Sequence, residues 1–192
     1  MRVIAVLSTL LFFCGESSQA VELPQVVRKT MEIYFEKPDA DKLLAESLSE
    51  HTKDSRYQKR AGVFVTLSRH GKSRACWGSI DADGAADLVQ STVHATLEAL
   101  NNEYRYKPVS ASEWKMLKPQ VTVINNVEPI ANIRSVNPLR DGLMVRAGGK
   151  SGVLLPREAS DAYYELVQCK LKAGIKPGEP YQLYRLKAQI YE

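Results

Sequence analysis

Cys76 is the residue best suited to covalent chemistry in this chain, and its neighbours suggest how it could be activated. It lies in Ser73-Arg74-Ala75-Cys76-Trp77-Gly78-Ser79-Ile80, a run that reads as a strand. Alternate residues of a strand share a side, so Arg74, Cys76 and Gly78 are expected together. A guanidinium beside a thiol favours thiolate, the nucleophilic and metal-binding form. Gly78, with no side chain, would let a ligand approach the backbone closely. The competing reading is a small buried cysteine, with Arg74 paired to an acid. Arg105, followed by Tyr106, offers a second cation for an anionic group. It equally suits an ion pair with Glu103 or Glu128.

Other chemistry has less support in the sequence. His94 falls with Gln90, Ser91 and Glu98 on the polar side of a helix, His70 in a turn, and His51 in a polar stretch. The chain has no H-x-x-x-H or C-x-x-C spacing, so no metal site is expected. The glycine-rich phosphate motifs G-x-G-x-x-G and G-x-x-x-x-G-K-[ST] are absent too, and no cofactor is expected.

The elements that must position Cys76 can be read in order. Gln25 to Phe35 has helical spacing through Val26, Val27, Thr30, Met31 and Tyr34. A second short helix is expected over Ala40 to Leu48, then a polar surface loop from His51 to Lys59. Val63, Val65 and Leu67 alternate with Phe64, Thr66 and Ser68 in a strand. Arg69-His70-Gly71-Lys72 turns it into the Cys76 strand. Asp81-Ala82-Asp83-Gly84 is a turn with an aspartate to cap a helix over Ala85 to Leu100. Ser110 and Glu113 have capping-box spacing at the head of a short helical turn. Pro119 to Val127 is a strand, and Pro129 to Pro138 is irregular. Gly142 to Ala147 and Ser151 to Leu155 form a hairpin around Gly148-Gly149. Pro156 is expected to open a helix to about Ala173, with Gly174 as its C-cap. Tyr184, Leu186, Ala188 and Ile190 alternate in a last strand. Two hairpins, each followed by a helix and a strand, imply an α+β class built on antiparallel pairing.

The 192 residues hold 26 Lys plus Arg and 22 Asp plus Glu, with 44% hydrophobic content. This is the balance of a globular domain rather than a disordered chain. The charge of +4 is too small and too dispersed for a dedicated nucleic-acid binder. Met1-Arg2, the uncharged run Val3 to Cys14 and the small residues of Ser18-Gln19-Ala20 have the layout of a signal peptide over residues 1–20. An exported domain over 21–192, periplasmic or secreted, is therefore expected, with no transmembrane segment after cleavage. Cys14 invites comparison with a lipoprotein site, but Phe13 is too large for the position before the cysteine, so plain export is preferred. Export leaves a disulfide between Cys76 and Cys169 open.

Gly62-Val63-Phe64-Val65-Thr66-Leu67 followed by Arg74-Ala75-Cys76-Trp77-Gly78 resembles the AMMECR domain family, the protein A members of the AmmeMemoRadiSam set. That family's central motif is close to Leu-Arg-Gly-Cys-Ile-Gly after a Phe-Val-Thr-Leu strand. Four later segments match in order: Glu103 to Pro108; Val121 to Ile124 with Glu128-Pro129-Ile130; Gly142-Leu143 with Ser151 to Pro156; and Cys169 with Lys172 to Ile175. Ala75, Trp77 and Glu103 depart from the pattern, and the stretch after Pro156 is shortened. The resemblance implies a two-lobed α+β domain of mainly antiparallel sheets, with β-hairpins packed against helices and the Arg-Cys-Gly strand near a cleft. It also implies a functional link to Memo-like and radical-SAM proteins.

Two functions are expected from these readings. The first is an accessory module whose cleft binds a small anionic ligand or a protein partner through Gly78, Arg105, Tyr106 and Glu128. The alternative is a thiol-dependent enzyme with Cys76 as nucleophile, activated by Arg74.

Overall fold

A computed structural model describes residues 22–36, 54–103 and 105–192. The proposed signal peptide with Cys14, the helix expected over Ala40 to Leu48, and His51 lie outside the described residues.

Helix α1 spans Leu23–Glu36 and buries Leu23, Val26, Val27, Thr30 and Met31. These are the positions that helical spacing places on one face. Thr30, polar on that face, satisfies its hydroxyl by donating to the Val26 carbonyl at 2.8 Å. The polar stretch after it contains a short 3-10 turn, Ser55–Tyr57, capped by Asp54. Tyr57 is buried there and donates its hydroxyl to Glu22 at 2.7 Å. Residues 54–59 of the expected surface loop are thus pinned to the core through the Tyr57 ring.

Strands β1 (Gly62–Arg69) and β2 (Lys72–Gly78) form the first hairpin. His70 and Gly71 both have positive φ, 51° and 74°, the geometry that a two-residue turn needs to match strand twist. Helix α2, Leu88–Asn101, begins three residues later than its hydrophobic pattern suggests. Asp87, not Asp81 or Asp83, is the cap, accepting from the Gln90 N–H at 2.8 Å. Strand β3, Lys118–Ile130, runs beyond the expected end at Val127. Strands β4 (Asp141–Ala147) and β5 (Lys150–Leu154) form the second hairpin.

Pro156 does not open a helix. Arg157 after it has φ of 71°, outside the right-handed helical region. Helix α3, Ala162–Ala173, starts where Asp161 accepts from the Tyr164 N–H, and it ends on Gly174 at φ 64° as expected. Strand β6 is Gln182–Tyr191.

The strands form a single curled antiparallel sheet in the order β2-β1-β3-β6-β4-β5, the α+β class with antiparallel pairing that the sequence implies. The last strand lies in the middle, pairing with β3 from Val121–Tyr191 to Ile130–Leu183 and with β4 on its other side. One hydrophobic core lies between α1, α2 and β1 to β3, around Met31, Val65, Leu88 and Val123. The other lies between α3, β4 and β5, around Leu143, Val145, Leu154 and Cys169. The two halves thus share one sheet and fill separate interiors.

Candidate functional site

Strand β2 departs from simple alternation at the residue on which the chemistry depended. Leu67 faces Ala75 and Ser68 faces Ser73, so Arg74 has no partner across the hairpin. This bulge breaks the periodicity that placed Arg74 beside Cys76. The Arg74 guanidinium donates to Glu113 at 3.1 and 2.8 Å and to the Lys107 carbonyl at 3.0 Å. No hydrogen bond joins it to Cys76.

Cys76 lies opposite Thr66, whose hydroxyl is 3.3 Å from its sulfur. Burial pushes the thiol above its ordinary range, and the Glu158 charge adds to this. The Thr66 hydrogen bond and the charges of Lys172 and Arg105 pull the other way without reversing the shift. Burial thus disfavours the thiolate, and the hydrogen bonds of Arg74 run to Glu113 and the Lys107 carbonyl rather than to the sulfur. Cys169 is also free, buried, and pushed up to about 12 by burial and Glu165.

Gly78 serves its own hairpin. A Cβ there would stand 2.2 Å from the Val63 carbonyl oxygen and 2.5 Å from the Phe64 Cα. The close approach is made by strand β1.

Arg105 and Tyr106 join Arg74 along the β2 edge. Glu103 is buried and accepts from the Cys76 N–H at 2.9 Å, the Arg105 N–H at 3.0 Å, and the Arg105 guanidinium at 2.8 and 2.6 Å. Burial alone would raise its carboxyl, but the Arg105 and Cys76 donors outweigh burial and hold it at about 2. Tyr106 is half-exposed, its ring 5.6 Å from the Arg74 guanidinium and 5.8 Å from that of Arg105. Glu128 does not belong to this group. It pairs with Arg185 between β3 and β6.

The curl of the sheet produces a feature that local patterns do not reveal. A groove of about 520 Å³ runs between the two halves. One wall carries Thr66, Ser68 and Gln120 from β1 and β3; the other carries Glu158, Gln168 and Lys172 from the turn after β5 and from α3. Through Thr66 the groove adjoins Cys76. Lys172 donates to the Val153 carbonyl at 2.9 Å and stands 3.9 Å from Glu158, which accepts from the Leu155 N–H. Arg157, also on the groove, pairs with Glu192 at 2.9 Å with its side chain mostly exposed. A neighbouring concavity of about 590 Å³, lined by Pro24, Arg28 and Lys118, shares Ser68 and Gln120 with it. The groove is the better candidate, because both halves supply polar groups to it and the Cys76 strand borders it. Among the described residues no group of three or more His, Cys, Asp or Glu is arranged to hold a metal. Nor is any helix among them long and apolar enough to cross a membrane.

Comparison with known proteins places these features in context. The family model AMMECR1 matches residues 16–192. A protein of Methanothermobacter thermautotrophicus is 32% identical over 149 residues, covering 70% of this chain and 77% of its own length. One of Methanopyrus kandleri is 28% identical over 187 residues, covering 88% and 86%. The crystal structure of an uncharacterized protein from Pyrococcus horikoshii matches with a TM-score of 0.72 and 26% identity, over 88% of both chains.

Proposed function

The chain belongs to the AMMECR1 family, and from that premise we propose that it is a binding module whose inter-half groove takes a small anionic ligand rich in hydrogen-bonding groups. The observation that carries this reading is the groove itself, with hydroxyl and amide side chains on one wall and Lys172 and Arg157 on the other. Those two cations would meet the anionic group, while Thr66, Gln120 and Gln168 would orient the rest. Burial disfavours the Cys76 thiolate, which suits a contact surface beside the groove better than a nucleophile. We read residues 1–20 as an export signal, which would put this binding outside the cytoplasm.

Calorimetric titration with inorganic phosphate and with small hydroxycarboxylates tests the reading. Binding of at least one is expected, weakened roughly tenfold or more by Lys172→Glu, a loss of about 1.4 kcal/mol or more. Affinity unchanged in Lys172→Glu and in the groove-filling Gln168→Trp would overturn the assignment. The thiol-enzyme alternative would regain ground if Cys76 alkylation had a midpoint below about pH 8.

A further inference from the structure

Glu165 is an anomalous ionisable group among the described residues. It lies on the inner face of α3, fully buried, and neither carboxyl oxygen has a hydrogen-bond partner among the described residues. The ionisable groups acting on it are acids: Glu158 from the turn after β5 and Asp141 from β4, with the Cys169 thiol one helical turn away. The cations that act on Asp141 and Cys169 are engaged elsewhere. Lys187 pairs with Asp141 at 2.5 Å, Arg185 with Glu128, and Lys172 with the Val153 carbonyl and Glu158. A carboxylate in this place would be a buried charge with nothing to compensate it, so the group is held as the neutral acid.

The same helix carries Tyr164, Gln168 and Lys172 on the groove. Its inner face packs on Leu143, Val145 and Leu154 through Cys169 and Leu166. Whatever moves α3 relative to β4 and β5 therefore moves one wall of the groove.

We propose that Glu165 is a proton-operated latch: as the neutral acid it lets α3 stay docked on β4 and β5, and on losing its proton it undocks the helix and reshapes the groove. The regulatory consequence rests on the groove being the binding site; the latch itself does not. Burial, reinforced by Glu158 and Asp141, pushes the carboxyl up to about 8 from an ordinary value of 4.5. The docked state thus holds the proton more tightly than the undocked one, and rising pH favours undocking.

Hydrogen exchange of the ligand-free protein tests this directly. The α3 amides are read relative to those of α2, which cancels the intrinsic effect of pH on exchange. From about pH 6 to about pH 9 the relative protection of α3 is expected to fall at least tenfold in the wild type, and less than about twofold in Glu165→Gln. Protection of α3 that tracks α2 throughout, or a fall that persists in Glu165→Gln, would overturn the latch. Should that variant fold poorly, the carboxyl carbon shift of Glu165 in the wild type decides: a midpoint near 8 supports the latch, and one between about 4 and about 5 removes it. Groove-filling Gln168→Trp abolishes ligand binding on the first reading and leaves the Glu165 titration in place, so the two proposals fail separately.

Discussion

Glu103 shows how one side chain can carry a motif. β2 is an edge strand, and an edge leaves backbone donors unpaired. Glu103 takes one of them, the Cys76 N–H, and uses its remaining capacity on Arg105. Two sequence segments with matching family motifs are thereby one structural unit. Glu103→Ala removes the acceptor of the Cys76 N–H and of three Arg105 hydrogen bonds and is expected to cost about 2 kcal/mol. The sign with pH follows from a carboxyl held at about 2 in the fold against an ordinary 4.5. Its stabilisation is complete above the ordinary value and is lost as pH falls toward the folded one. Urea unfolding from about pH 5 down to about pH 2 should therefore show a steep loss in the wild type and a shallower one in Glu103→Ala. Parallel limbs would remove Glu103 from the account. The thiols give a second test at this scale. Native alkylation of Cys76 should be slow, with its midpoint above that of a free cysteine, and Cys169 should stay unmodified until the protein unfolds. Rapid labelling of Cys169 in the native state would contradict the packing of α3.

At the scale of elements, the packing of α3 depends on a glycine in β5. A Cβ on Gly152 would lie 2.0 Å from the Cys169 carbonyl oxygen and 2.9 Å from the Ala173 nitrogen. Both are helix backbone, so neither neighbour can rotate aside. Gly152→Ala must push the helix off the sheet and is expected to cost about 3 kcal/mol, seen as a lower urea midpoint with little change in slope. A cost under about 0.5 kcal/mol would mean that the helix does not sit so close. Elements of this kind were only partly legible in the sequence. The β1–β2 hairpin could be read because alternation and His70-Gly71 are local signals. The starts of α2 and α3 lie later than the pattern suggests because Ala85 and Pro156 merely permit a helix, whereas Asp87 and Asp161 hold its first turn. The bulge at Arg74 and the close contacts of Gly78 depend on what lies across the hairpin, which spacing along one strand does not encode. The groove was still less legible, since its walls come from β1, β3 and α3 and meet through the curl of the sheet. Glu165 carries no signal in the sequence, because it sits in a helix where a surface glutamate would be ordinary.

For the whole molecule, the placement of β6 decides whether two cores behave as one domain. A chain that built each half from its own strands could unfold them in sequence. Here the final strand is hydrogen-bonded to β3 of the first half and β4 of the second, so neither sheet half closes without it. Both tryptophans, Trp77 and Trp114, belong to the first core. Leu143 is fully buried in the second. Leu143→Ala leaves a cavity there and is expected to cost about 3 kcal/mol. If β6 couples the halves, tryptophan fluorescence must report that loss even though no tryptophan touches the cavity, and its midpoint must coincide with that of far-ultraviolet circular dichroism. If the halves are independent, the fluorescence transition stays where it is and only the dichroism splits. Coincidence would also bear on the groove, whose walls belong to different halves: coupling through β6 holds them in register, so that a change confined to α3 would alter the groove without requiring the first core to open.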